Sequence, residues 1–166
     1  MNEHLRDLFI RYRKAGILLD TSILLLFYVG AYSREEITRF KRTRKFTIED
    51  HDLLVRILRY FDNRITTPNI LTEVSNLANQ LPQHHKSGFF MKFASGINLL
   101  HEQYISSSDI AERDEFLRFG LTDTGIVQLV QGRYLVLTDD FRLSQYLASL
   151  RVDVVNFNHI RTLHWD

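Results

Sequence analysis

Apolar positions along the chain recur with two periods, and the expected elements follow from them. Residues 3 to 13 place Leu5, Leu8, Phe9 and Tyr12 at helical spacing, which predicts an amphipathic helix ended by Gly16. Ile17 to Leu19 has no polar face and suits a strand buried on both sides, with Asp20 at its carboxyl end. Thr21 and Ser22 are expected to cap a helix through the apolar run Ile23 to Val29, and Ser33 with Glu36 has the spacing of a capping box for another. Thr47 and Asp50 open a further helix to about Phe61, in which Leu53, Leu54, Ile57 and Leu58 keep a period of about 3.6 residues.

A second strand is expected at Arg64 to Thr66. Thr67 followed by Pro68 is a strong start signal for a helix from Asn69 to about Gln80, which Leu81 and Pro82 break. Residues 83 to 105 read as a long helical stretch, divided where Gly88 and Gly96 weaken it. Asp109 to Phe119 reads as helix stopped by Gly120, and Thr122 as the cap of a helix to Gln131. Tyr134 to Leu137 is rich in strand formers, Asp140 to Leu150 is helical, and Val152 to Val155 is a further strand. Helices alternating with short apolar strands predict an α/β fold on four or five parallel strands. The whole chain, residues 1–166, is expected to be one domain led by the helix at about 3–13.

Composition changes this picture little. The chain has 21 Lys and Arg against 20 Asp and Glu, so net charge names no partner. Its distribution says more: Arg39, Lys41, Arg42, Arg44 and Lys45 form a run without an acid, and Arg11, Arg13 and Lys14 a shorter one. Either run reads as a phosphate contact or as a solvated helix end. Zero cysteines exclude disulfides, cysteine-ligated zinc and thiol nucleophiles, in keeping with a reducing compartment. The most apolar segment, Ile17 to Val29, is interrupted by Asp20 and falls short of the roughly 20 residues that a bilayer requires. A cytoplasmic protein with no membrane partner is expected. Phe89, Phe90, Phe93 and Trp165 read as packing or interface residues.

The informative coincidence is where the acids fall. Asp20 follows the first strand, Asp139 and Asp140 follow the third, Asp123 sits in the first turn of the helix before the third, and Glu73 lies one turn into the helix after the second. In open parallel sheets, ligands bind in the crevice beyond the carboxyl ends of the strands. Carboxylates within about 5 Å of each other repel by roughly 3 kcal/mol per pair at an effective dielectric near 20, so such a cluster needs compensation. Divalent cations provide it, and oxygen ligands without His or Cys favour Mg²⁺ or Mn²⁺ over zinc. Taken singly, Asp123 also reads as an acid favoured by the helix dipole, and Asp139 and Asp140 as caps. Asp20 is harder to explain that way, because an acid between two apolar runs is costly unless it has partners.

The segments carrying these acids resemble those of PIN domains. Gly16-Ile-Leu-Leu-Asp-Thr-Ser22 is similar to the family's opening motif, and Thr67-Pro-Asn-Ile-Leu-Thr-Glu73 to its second acidic element. Leu121-Thr-Asp-Thr-Gly-Ile126 and Leu135-Val-Leu-Thr-Asp-Asp140 are similar to the third and fourth, and the order agrees across residues 16 to 157. The resemblance implies a three-layer α/β/α sandwich with a short central parallel sheet. It also implies a Mg²⁺- or Mn²⁺-dependent endoribonuclease, as in VapC-type toxins, with an RNA substrate, an antitoxin protein as a partner and self-association. Carried over by position, Asp20, Glu73, Asp123 and Asp140 would hold the metal and act in catalysis. The Thr-x-Asp form of the last motif selects Asp140, with Asp139 as the substitute. Thr21, Ser22, Asn76 and Thr138 would support the acids by hydrogen bonds, and Arg39, Lys41, Arg42, Arg44 and Lys45 would contact RNA.

The chain is larger than compact toxins, having an N-terminal helix, the basic segment from about Ser33 to Lys45 and the long stretch 83 to 119. Two other functions compete. One is a catalytically silent PIN-like module that binds RNA or a protein, although no acid has been replaced. The other is a phosphohydrolase or receiver-like domain, for which Asp20-Thr-Ser22 lacks the second acid expected after the first strand.

Overall fold

In a computed structural model that describes residues 3–162, the fold is α/β, with a five-stranded, all-parallel sheet. The first half runs α1 Glu3–Tyr12, β1 Ile17–Leu19, α2 Thr21–Tyr32, α3 Glu36–Arg39, α4 Ile48–Leu58, β2 Arg64–Thr66 and α5 Pro68–Ala78. The second runs α6 Gln83–Ile97, β3 His101–Glu102, α7 Ser107–Ala111, α8 Phe116–Val130, β4 Leu135–Thr138, α9 Phe141–Ser149, β5 Val154–Asn156 and α10 Phe157–Ile160. Trp165 lies outside the described residues.

The strands stand in the order β3-β2-β1-β4-β5. The chain therefore builds outward from β1 through β2 to β3, then returns across the sheet to lay β4 on the other side of β1, and β5 beyond it. With right-handed crossovers, the helices of the outward run cover one face and those of the return run the other. α2 contacts α3, α4, α5 and α6, while α8 contacts α7 and α9 and also meets α5. The arrangement is compatible with three layers, α/β/α.

Burial on both faces explains the composition of the central strands. Every residue of β1 and β4 is buried, and Leu18 pairs in register with Ile65 on one side and Val136 on the other. α2 is apolar nearly all round because four helices and the sheet surround it. The point at which the strand order reverses lies between β1 and β4. Ligand crevices in such sheets open there, at the carboxyl ends.

Several local expectations are corrected. Ser33 and Glu36 form no capping box: Ser33 closes α2 by donating its N–H to the Val29 carbonyl, and α3 is a single turn with no side-chain cap. The stretch 83 to 105 is helical only to Ile97, after which His101–Glu102 pairs with β2 as an edge strand. Both its residues are exposed and charged or polar, so it carries no strand signal. Gly88 and Gly96 do not divide α6. They admit tyrosine rings from α2: a Cβ on Gly96 would lie 2.2 Å from Tyr28 Cε1, and one on Gly88 would lie 2.5 Å from Tyr32 Cε2.

Residues 109 to 119 are not one helix but α7, a turn and the opening of α8. Gly120 interrupts α8 at φ 74°, as its sequence position led us to expect of a stop. β5 lies two residues later than expected at its start and one at its end. Phe89 and Phe93 are core, which accounts for part of the aromatic stripe. No helix among the described residues is long and apolar enough to cross a membrane.

The tight contact at Gly96 is testable. Gly96→Ala places a methyl group into the buried Tyr28 ring, so overpacking should cost about 1–3 kcal/mol and exceed the gain of up to about 1 kcal/mol in helix propensity. Urea denaturation should show a lower midpoint; an unchanged or higher one would mean that α6 does not pack on α2 this closely.

Candidate active site

Five acids line one open cleft of about 620 Å³ at the carboxyl ends of β1 and β4: Asp20, Glu73, Asp123, Asp139 and Asp140. The topology brings them together. Leu19 of β1 and Leu137 of β4 are register partners, and the Asp20 N–H donates to the Leu137 carbonyl at 3.0 Å. The acids that follow the two strands are thereby held at the same level of the sheet. Glu73 comes from α5 and Asp123 from α8, which pack against each other beside the cleft.

Each acid is held differently. Asp20 is buried and caps α2: Oδ1 accepts the Thr21 N–H at 2.6 Å and Oδ2 accepts the Thr138 hydroxyl at 2.6 Å. The same Thr138 hydroxyl oxygen accepts the Asp140 N–H at 2.9 Å, so one side chain sets the spacing between the two acids. Glu73 accepts the Thr21 hydroxyl at 3.0 Å on one oxygen and the Thr122 hydroxyl at 2.5 Å on the other.

Asp139 has both oxygens engaged, one by the Ser22 hydroxyl and the other by the Lys45 ammonium, while its backbone carbonyl accepts from Asn158 Nδ2 at 2.9 Å. Asp140 caps α9, with Oδ1 accepting the Leu143 N–H at 3.0 Å. Asp123 makes no side-chain hydrogen bond among the described residues, although it is largely shielded from water.

The hydroxyl assignments need correcting in detail. Neither Thr21 nor Ser22 caps α2, because Asp20 does; their hydroxyls serve Glu73 and Asp139 instead. Thr122 does not cap a helix either, since Gly120 already breaks the chain ahead of it, and its hydroxyl turns to Glu73. Asn76 is exposed and does not line the cleft, where Leu77 takes that place.

The basic run disperses: Arg39 pairs with Glu35 at 3.1 Å, Arg42 Nε donates to Gln80 at 2.9 Å, Lys41 and Arg44 are exposed, and Lys45 alone of the five reaches the cleft. Sequence reasoning missed Phe141 and Arg142, which also line it. Only their position directly after Asp140 pointed to them.

Burial of Asp20 and Asp123, with crowding of like charge, alters these two acids. Burial raises the Asp20 carboxyl to about 6; its Thr138 and Thr21 hydrogen bonds oppose this, and the charges of Asp139 and Asp140 add to it. Burial also raises Asp123, to about 7, reinforced by Asp20, Asp140 and Glu73 and opposed by Arg142. Among the described residues no hydrogen bond favours the charged form of Asp123, as Thr138 and Thr21 do for Asp20.

These donors suit a small, hard divalent cation: all are carboxylate oxygens, no histidine among the described residues lines the cleft, and the raised acids gain from added positive charge. Among the described residues no three acidic or histidine side chains form a ready-made ligand set. Such an ion would therefore keep part of its shell as water, as Mg²⁺ commonly does.

Comparison with family models, with curated proteins and with solved structures finds no match to this chain.

The electrostatics predict a pH dependence of stability. An unfolded aspartate ionises near 3.9, while Asp123 in the fold holds its proton to about 7. Between those values the folded state binds more protons, so its contribution to stability is full below about pH 4 and is lost as pH rises through 7. Asp123→Asn should therefore melt higher than the parent at pH 8 in EDTA, by on the order of 1 kcal/mol or roughly 2–4 °C, with the gain shrinking towards pH 4.5. A variant less stable than the parent at pH 8 would contradict this.

Proposed function

We propose that the chain is a metal-dependent nuclease of the PIN type that hydrolyses RNA phosphodiester bonds in this cleft. The observation that carries the reading is the gathering of Asp20, Glu73, Asp123 and Asp140 at the point where the strand order reverses, with no side-chain hydrogen bond to Asp123 among the described residues. That arrangement raises the cost of the cleft without a cation and makes it a place to hold one.

In this reading Asp20, Glu73, Asp123 and Asp140 would hold Mg²⁺ or Mn²⁺ between them, in part through coordinated water. The ion, when bound, lowers the pKa of a coordinated water and stabilises charge on the phosphoryl oxygen under in-line attack. Thr138 orients Asp20 and fixes the Asp140 backbone, and Thr21 and Thr122 fix both oxygens of Glu73, so three hydroxyls hold the acids from behind.

Asp139 has a separate task. Its charge is answered by Lys45, which leaves it a tether between the basic segment and β4, and Asp140 remains the better ligand because no ammonium or guanidinium group pairs with it among the described residues. The openness of the cleft suits a polymer that enters from the side, and Arg142 at its wall offers a positive contact to a phosphate.

The test is cleavage of labelled single-stranded RNA in Mg²⁺, Mn²⁺ and EDTA. Cutting should require metal. Thr138→Val should lose on the order of 10–100-fold, Asp20→Asn and Asp123→Asn should lose more, and Asp140→Asn should cost more than Asp139→Asn. Activity retained in both Asp20→Asn and Asp123→Asn would sink the assignment.

A further inference from the structure

The opposite end of the sheet is built for the opposite charge. α1 leads into β1 and the turn after α4 leads into β2, so in a parallel sheet both connections lie at the amino ends of the strands, away from the acids. They are tied together there: the Asp62 N–H donates to the Arg13 carbonyl at 2.9 Å, and Asn63 Nδ2 donates to the Lys14 carbonyl at 2.7 Å.

Between them lies a groove of about 490 Å³ lined by Arg6, Phe9, Ile10, Arg13, Arg59 and Tyr60. A hollow of about 280 Å³ lined by Arg56, Arg59 and Tyr60 shares two of those residues and extends it.

Four arginines thus surround one tyrosine. Arg13 makes the one ion pair of the group among the described residues, to Asp62 at 4.0 Å, the outer limit for such a pair; Arg6, Arg56 and Arg59 make none. Arg11, from the same basic run as Arg13, is spent on Asp153 at 3.0 Å and is no part of the groove.

Tyr60 is 48% exposed, its ring supported from beneath by the buried Phe9 at 5.5 Å between centroids, and Ile10 beside it is 64% exposed. An exposed aromatic ring packed on the buried Phe9, with three guanidinium groups beside it that form no ion pair among the described residues, matches the two needs of a single-stranded nucleic acid: a surface for an unpaired base and charges for the flanking phosphates. A purely acidic protein surface would leave the ring and Ile10 without a counterpart.

We infer that this groove is a second binding site, for single-stranded RNA, separate from the acidic cleft: Tyr60 stacks a base while Arg6, Arg59 and Arg56 hold the phosphates on either side. The site needs no metal and stands whether or not the cleft cuts.

The test is fluorescence anisotropy of a short labelled single-stranded RNA with the full chain in EDTA, where cutting is absent, with inorganic polyphosphate as a competitor that carries charge but no bases. Arg6→Gln/Arg59→Gln should weaken RNA binding by at least about tenfold and flatten the salt dependence of log K by roughly 1 to 1.5 in slope, as two lost phosphate contacts require. Tyr60→Leu should weaken RNA by on the order of tenfold and leave polyphosphate unchanged, while Tyr60→Phe keeps the affinity of the parent.

Melting curves of each variant check folding, and the two exposed arginines can be replaced without touching the core. If the double arginine variant binds RNA like the parent, the site is wrong. If Tyr60→Leu binds RNA like the parent, the groove is a polyanion contact and not a reader of unpaired bases.

Discussion

Repulsion among carboxylates gathered above β1 and β4 is the constraint on which the rest of the structure depends. The sheet order forces Asp20, Asp139 and Asp140 to the same level, and α5 and α8 bring Glu73 and Asp123 to join them. The fold answers part of that charge with hydroxyls from Thr21, Ser22, Thr122 and Thr138, with one ammonium from Lys45, and with the amino ends of α2 and α9. It gives Asp123 no hydrogen bond among the described residues and only the charge of Arg142, and that acid is raised further than Asp20.

The molecule divides its charges between two poles. Acids stand at the carboxyl ends of the parallel strands, and the groove around Tyr60 gathers arginines at the amino ends. Near-zero net charge therefore conceals two surfaces of opposite sign. The basic run at 39 to 45 looked the stronger phosphate contact in the sequence, yet the fold spends Arg39 on glutamates, Arg42 on Gln80 and Lys45 on Asp139. Arg6 of α1 and the arginines at the end of α4, Arg56 and Arg59, stand about fifty residues apart in the chain and are joined only by the tertiary fold.

Legibility in the sequence tracked the strength of the local signal. β1 and β4 were readable because both faces are buried and the apolar runs are unbroken; α5 was readable because Thr67 and Pro68 mark its start. The four acids were readable because each follows or adjoins such an element. β3 was hidden because an exposed edge of two polar residues has no apolar pattern.

The capping assignments at Ser33, Thr21 and Thr122 failed for a common reason. A hydroxyl near a helix start has more than one acceptor within reach, and only the folded chain decides between backbone and carboxylate. The glycines of α6 misled in a similar way, since their use is to admit Tyr28 and Tyr32, which lie some sixty residues away in the chain.

The central claim is that the acids form one electrostatic unit that a divalent cation completes. The most direct measurement is a titration of the protein with Mn²⁺ at pH 8 and at pH 5.5, followed by melting temperature and by calorimetry. The account predicts binding at pH 8 that stabilises the fold, weakens at pH 5.5 where protons compete for Asp20 and Asp123, and is lost in the Asp20→Asn/Asp123→Asn double variant. Equal binding at both pH values, or binding that survives the double variant, would contradict it.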